Sequence, residues 1–245
     1  MLATSPAFVL KTTNYSETSV IAKVYTREWG LQSVMIKGVR TAKSRNKQNL
    51  LQPLSYVDIS MYRNEKKQIQ FAKEVRPYKQ WKNTPFDYEK TAITFFINEL
   101  LYKTIREESS DVQMFDFIDE CLSTLDQRQK SLADFPIRFL IKASTMFGFA
   151  PLNNFSASNN LFNLNDGRFV CQPDPYLPQQ DSILGAEPSR LLHNYLCMTD
   201  IYNDETATNA TQRNELLSAM LEYFKIHFSQ LGDFKSHIVL HEILR

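Results

Sequence analysis

Five cations, Lys37, Arg40, Lys43, Arg45 and Lys47, fall within residues 37–47, inside a longer stretch, 29–57, that contains no Asp or Glu. A basic run with no local acid to neutralise it holds phosphate oxygens by charge and hydrogen bond, and does not move protons. Lys11, Lys23, Arg27, Arg63, Lys66, Lys67, Lys73, Arg76, Lys79 and Lys82 flank it, with Tyr15, Tyr25, Trp29, Tyr56 and Tyr62 interleaved. Small barrels bind nucleic acids by this combination of phosphate neutralisation and base stacking on aromatic rings. An ordinary solvated loop is the plain alternative for such a run. Tyr25 and Trp29 divide between stacking and core roles.

Catalytic patterns are weaker. The six glycines, Gly30, Gly38, Gly148, Gly167, Gly185 and Gly232, are too far apart for GxGxxG or a P-loop, which removes the standard phosphate-cradling nucleotide sites. His237 and His241 share a helical face at i, i+4. His241-Glu242 opens an HExxH pattern, but Arg245 stands where its second His belongs. Two histidines without a third ligand make a surface or terminal-helix role the better reading. His193 and His227 are isolated, and neither Ser-His-Asp nor Cys-His stands out. Glu107-Glu108 and Asp119-Glu120 supply the carboxylates of a metal-dependent nuclease, but read as solvated helix faces and caps. The expectation is no catalytic residue, no metal and no cofactor.

Charge divides the chain. Residues 1–82 hold 15 of the 28 Lys+Arg but 5 of the 27 Asp+Glu, leaving 13 bases against 22 acids in the remainder, so the net +1 conceals a basic front and an acidic rear. A polyanion-binding module joined to a partner-binding body is the organisation this suggests. With 43% hydrophobic and 22% charged residues the composition is that of a globular protein. No run reaches the roughly 18 apolar residues of a membrane helix, and Lys11 interrupts an N-terminal apolar run too short for a signal peptide. Cys121, Cys171 and Cys197, odd in number and widely spaced, read as buried thiols, and the cytoplasm is the economical compartment.

The elements that must position the cations alternate as strands. Residues 7–10 open, Val20, Ala22 and Val24 face one side of a second strand, and Glu28-Trp29-Gly30 is a hairpin turn with Gly30 at positive φ. Residues 31–37 form a third strand, followed by a long basic loop to Leu50. Val57, Ile59 and Met61 alternate on a fourth, and Ile69, Phe71 and Val75 share a face of a fifth. Five short strands suggest a small closed or nearly closed barrel, of which the OB-fold is the five-stranded kind. Helical periodicity follows. Thr84-Pro85-Phe86-Asp87 reads as a capped start, and Ile93, Phe96, Ile97, Leu100 and Leu101 line one face. Further helices run after Asp111, from Asp134 to Gly148, around 191–196, and from about 217 to a stop at Gly232. Residues 161–170 read as a hairpin about Asn165-Asp166-Gly167. The expected class is α+β: an OB-fold barrel over 1–80 and a helical domain over 84–245 with an irregular insertion at 150–186.

The segments Ala7-Phe8-Val9-Leu10-Lys11-Thr12, Tyr15-Ser16-Glu17-Thr18-Ser19, Tyr25-Thr26-Arg27-Glu28-Trp29-Gly30, Lys37-Gly38-Val39-Arg40 with Ser44-Arg45, and Leu51-Gln52-Pro53-Leu54 resemble the bacterial RecO family in order and spacing. Arg138-Phe139-Leu140 through Phe147-Gly148-Phe149-Ala150-Pro151 is similar to that family's helix ending in a Gly-aromatic-x-Pro turn, and residues 231–244 to its C-terminal segment. The resemblance implies a non-catalytic recombination mediator with an OB-fold and a helical domain. Such a protein binds single- and double-stranded DNA and anneals complementary strands. It works with RecR, engages the C-terminal tail of the single-strand-binding protein, and so helps RecA load on coated DNA.

Carried onto this sequence, the DNA-contacting candidates are Lys37, Arg40, Lys43, Arg45 and Lys47, with Arg27, Arg63, Lys66 and Lys67 secondary. Arg138 and Lys142, at i, i+4, are candidates for the acidic tail peptide, although both also read as ordinary helix charges. One departure concerns metal. The four-cysteine zinc module of many relatives is represented over 152–172 by Cys171 alone, with Asn153, Asn154, Ser156 and Ser158 where thiolates are expected, so no structural zinc is expected. The alternatives are an OB-type RNA-binding or ribosome-associated factor and, from another class, the nuclease.

Overall fold

The computed structural model describes residues 1–41, 45–106, 109–171, 182–198, 200, 207–228 and 231–244. The chain divides into two compact units, Met1–Gln127 and Arg128–Arg245.

In the first unit β1 (Leu2–Asn14), β2 (Val20–Thr26), β3 (Gly30–Ile36), β4 (Tyr56–Tyr62) and β5 (Ile69–Lys79) close into a barrel of order β1-β2-β3-β5-β4. This is the five-stranded OB-fold the alternation predicts. Val20, Ala22 and Val24 of β2 and Val57, Ile59 and Met61 of β4 point inward and pack with Ala7, Val9 and Val34. Each such side chain withdrawn from water contributes about 1.5–3 kcal/mol. Gly30 turns β2 into β3 at φ 62°, where a Cβ would be strained.

Three local expectations are corrected. The basic loop contains a short helix, α1 (Arg45–Asn49). The helical start is a 3-10 turn at Thr84–Phe86, and Asp87, not Thr84, caps α2 (Tyr88–Thr104) by accepting from the Glu89 and Lys90 amides at 2.9 and 3.1 Å. Phe71 also leaves the face of Val75. The β4–β5 register slips between Ser60 and Met61, so Ser60 opposes Glu74 while Met61 opposes Ala72, and the extra residue, Lys73, forms a bulge. A one-residue slip reverses every later side chain, which turns Phe71 outward.

The helices α2 and α3 (Val112–Gln127) belong to the barrel's unit. Phe115 of α3 lies 4.8 Å from Phe8 and 5.8 Å from Tyr56, centroid to centroid. The Asp126 carboxylate accepts from the amides of Lys82, Asn83 and Thr84 and from the Thr84 hydroxyl, at 2.8 to 3.0 Å, fixing the segment that leaves β5. Burial raises this carboxyl's pKa, but those hydrogen bonds outweigh it and hold the group below its usual range.

The second unit comprises α4 (Phe135–Met146), the hairpin β6 (Leu161–Asn163) and β7 (Arg168–Val170), α5 (Ala186–Leu196), α6 (Ala210–His227) and α7 (Ser236–Ile243). Helix α6 ends at His227, short of the Gly232 stop. Amides hold the hairpin: Asn154 donates to the Phe169 carbonyl and accepts from its amide at 2.9 and 2.8 Å, and Asn153 Oδ1 lies 2.7 Å from His193 Nδ1. Those side chains are engaged in hydrogen bonds and carry no thiolate, so the residues present do not fit a structural zinc. Of the thiols, Cys121 is buried, but Cys171 and Cys197 are exposed, contrary to the expectation of three buried cysteines. Among the described residues no helix is long and apolar enough to cross a membrane.

Candidate nucleic-acid interface

Lys37 and Lys67 flank Phe71, the ring that alternation assigns to the face of Ile69 and Val75. Phe71, at the start of β5, opposes Met35 of β3 and Tyr62 of β4. Its ring is 39% exposed, with Lys37 Nζ 5.9 Å and Lys67 Nζ 5.7 Å from the centroid. Tyr62 beside it is also exposed. A cation over a ring face is attracted by the ring quadrupole, so both ammonium groups are held near a surface on which a base can stack.

Lys66 and Lys67 sit on the β4–β5 turn, and the buried side chain of Gln70 fixes that turn. Its Oε1 accepts from the Asn64 amide at 2.8 Å, and its Nε2 donates to the Asn64 and Lys67 carbonyls at 3.0 and 2.8 Å. Asn64 Oδ1 in turn accepts from the Lys66 amide at 3.0 Å. Lys47, on α1, joins Lys37 and the bulged Lys73 around a cavity of about 420 Å³. Among the described residues Lys37, Lys47, Lys66, Lys67 and Lys73 have no ion-pair partner, so their charge is open to an external anion.

Other cations are engaged. Arg27 pairs with Asp116 of α3 at 3.1 Å, Arg63 pairs with Glu65 at 2.8 Å and lies over Trp29 at 5.6 Å, and Arg40 donates to the Ser16 carbonyl at 2.7 Å. Lys43 lies outside the described residues, as does the side chain of Arg45, whose backbone opens α1. Of the aromatic candidates, Tyr25 and Tyr56 are buried, Trp29 is half-buried against the core, and Tyr15 and Tyr62 are exposed. Sequence reasoning missed Phe71 as an exposed ring beside two lysines and Gln70 as the support of the adjoining turn. The mark of the bulge in the alternation is Lys73, a charge standing between Phe71 and Val75 on the same alternating face.

In the second unit, Arg138 is 1% exposed and pairs with Asp134 at 2.5 Å, its guanidinium 5.5 Å from the Tyr195 ring. With Arg128, Lys130, Arg213 and Asp134 it lines a cavity of about 300 Å³. Lys142 is exposed and outside that lining. Of the nuclease carboxylates, Asp119 pairs with Lys79 at 2.8 Å, and Glu107 and Glu108 lie outside the described residues.

A closed OB barrel with an open cationic and aromatic face, joined in one chain to a helical unit, agrees with the comparisons to known proteins. The family model described as recombination protein O N terminal matches residues 1–81, and that described as recombination protein O C terminal matches residues 85–232. DNA repair protein RecO of Phocaeicola vulgatus is 27% identical over 243 residues, covering 99% of each chain. The proteins of the same name from Bacteroides fragilis and Christiangramia forsetii are each 28% identical, again over 99% of both chains. The chain belongs to the RecO family of DNA repair proteins.

Proposed function

We propose that the β3–β5 face of the barrel holds the phosphate backbone of single- and double-stranded DNA without reading base sequence, and that the protein thereby anneals complementary strands as a non-catalytic recombination mediator. The observation that carries this reading is the outward Phe71 with Lys37 and Lys67 over its ring, on a surface where Lys47, Lys66 and Lys73 have no described ion pair. Lysine is a point charge that neutralises phosphate and tolerates any base, whereas base-specific readout uses bidentate forks at base edges. Fixed cations lower the repulsion between two polyanions, and with no sequence preference from the protein, pairing itself selects the match.

The helical unit extends the reading to partners. The cavity lined by Arg128, Lys130, Asp134, Arg138 and Arg213 is the candidate site for the acidic tail of the single-strand-binding protein, with Lys142 outside it. RecR and, indirectly, RecA complete the mediator role that family membership implies. An annealing assay with naked and protein-coated complementary oligonucleotides tests the whole. The parent chain accelerates both reactions, and a Lys37→Ala, Lys66→Ala, Lys67→Ala variant accelerates neither. Equal acceleration by that variant rejects the proposed face. Higher affinity for RNA than for DNA of the same sequence at matched salt favours the RNA-binding alternative.

A further inference from the structure

We infer that the gap between β3 and β5 is a slot for one unstacked nucleobase of single-stranded DNA, an inference that rests on the barrel reading above. The gap follows from the strand pairing. The parallel β3–β5 ladder lasts three pairs, Ser33–Ile69, Val34–Gln70 and Met35–Phe71, and then stops. Beyond it the bulge at Lys73 bends β5, and Ala72, Glu74 and Val75 pair with β4 alone. Among the described residues no strand pairs with their other edge, which leaves backbone donors and acceptors facing the gap. Helix α1 and Leu51 close the far side, giving the cavity of about 420 Å³, within the size range of small-ligand pockets.

The lining sorts by chemistry. Ile36, Leu51, Ala72 and Val75 form an apolar floor, and Lys37, Lys47 and Lys73 a cationic rim. Glu74 is the one carboxylate of the lining, and it is bridged to Arg76 at 2.7 Å. A phosphate is repelled by that carboxylate, whereas a base donates to it through an exocyclic amino group or, in thymine, through N3–H. The floor therefore takes the base and the rim takes the phosphates on either side. Phe71, next in β5, offers its ring to the neighbouring base. Duplex DNA keeps its bases stacked and meets the rim alone, so the slot favours single strands.

The experiment compares a short oligothymidylate, the same backbone with abasic sites, and a hairpin duplex on the intact chain. The parent protein prefers the thymidylate to the abasic strand. Ala72→Phe, which places a ring in the slot, lowers thymidylate affinity about tenfold and leaves duplex affinity unchanged. Because Ala72 touches the core, a second measurement uses the unaltered protein: thiothymidine-substituted strands crosslink on irradiation to peptides containing Leu51 or residues 72–75. Equal affinity of Ala72→Phe and parent for thymidylate, or crosslinks confined to other peptides, overturns the slot. If Lys37→Ala with Lys67→Ala still weakens duplex binding in that case, the barrel reading stands without it. If those lysine changes are also silent, the barrel reading falls with the slot.

Discussion

Phe71, 39% exposed and with ammonium groups 5.9 and 5.7 Å from its ring centroid, is the stacking platform of the proposed face. Removing one stacked base–ring contact costs about 1–3 kcal/mol. Phe71→Ala is therefore expected to weaken single-strand binding by roughly tenfold while duplex affinity changes little, as fluorescence anisotropy on the two substrates will show. Equal losses on both would mean that Phe71 shapes the face without stacking. Arg138 illustrates the opposite case, a charge whose first role is structural. It is 1% exposed and paired with Asp134, so Arg138→Ala leaves a buried carboxylate behind and is expected to destabilise the chain by about 3–5 kcal/mol in urea unfolding. Its partner role is better tested with Arg213→Ala at the same cavity, which is expected to weaken capture of the acidic tail peptide without that loss of stability.

At the scale of elements, barrel strands and helices were legible where a periodic apolar pattern met one buried face. Val57, Ile59 and Met61 alternate into the core, and Ile93, Phe96, Ile97, Leu100 and Leu101 follow one helical stripe. What the sequence hid was decided by pairing between distant strands. The slip opposite Ser60 and Met61 inverts Phe71, and Lys73, a charge between Phe71 and Val75 on the alternating face, is its local trace. Capping was misplaced for a related reason: Thr84 and Asp87 are both good caps, and Asp126, 42 residues on, takes Thr84's hydroxyl and amide for itself. The turn carrying Lys66 and Lys67 depends on Gln70. Gln70→Ala is expected to lower DNA affinity about fivefold by loosening that turn. The salt dependence should stay unchanged, since no charge is removed. Asp126 gives a pH test. Its folded pKa lies below the unfolded value of 3.8, so its stabilisation is complete above that pH and is lost as pH falls through the folded pKa. Asp126→Asn is expected to lower stability at pH 7 by about 3 kcal/mol and to flatten the acid limb of the stability curve.

For the molecule as a whole, the uneven charge read from the sequence survives in three dimensions in a narrower form. Several front cations, Arg27, Arg63, Arg76 and Lys79 among them, are paired with carboxylates, and of those without an ion pair Lys37, Lys47, Lys66, Lys67 and Lys73 lie after β3, on α1, on the β4–β5 turn and on β5, while Lys11 and Lys23 lie by Tyr102. Net charge alone thus overstates the surface available to DNA. The count of open lysines sets the electrostatic part of binding, because each neutralised phosphate releases counterions. The most direct measurement is the slope of log affinity for single-stranded DNA against log salt, for the parent and for the Lys37→Ala, Lys66→Ala, Lys67→Ala variant. Three lost contacts should reduce the magnitude of that slope by about 2. A slope and affinity identical to the parent's would contradict a backbone-gripping role for this face.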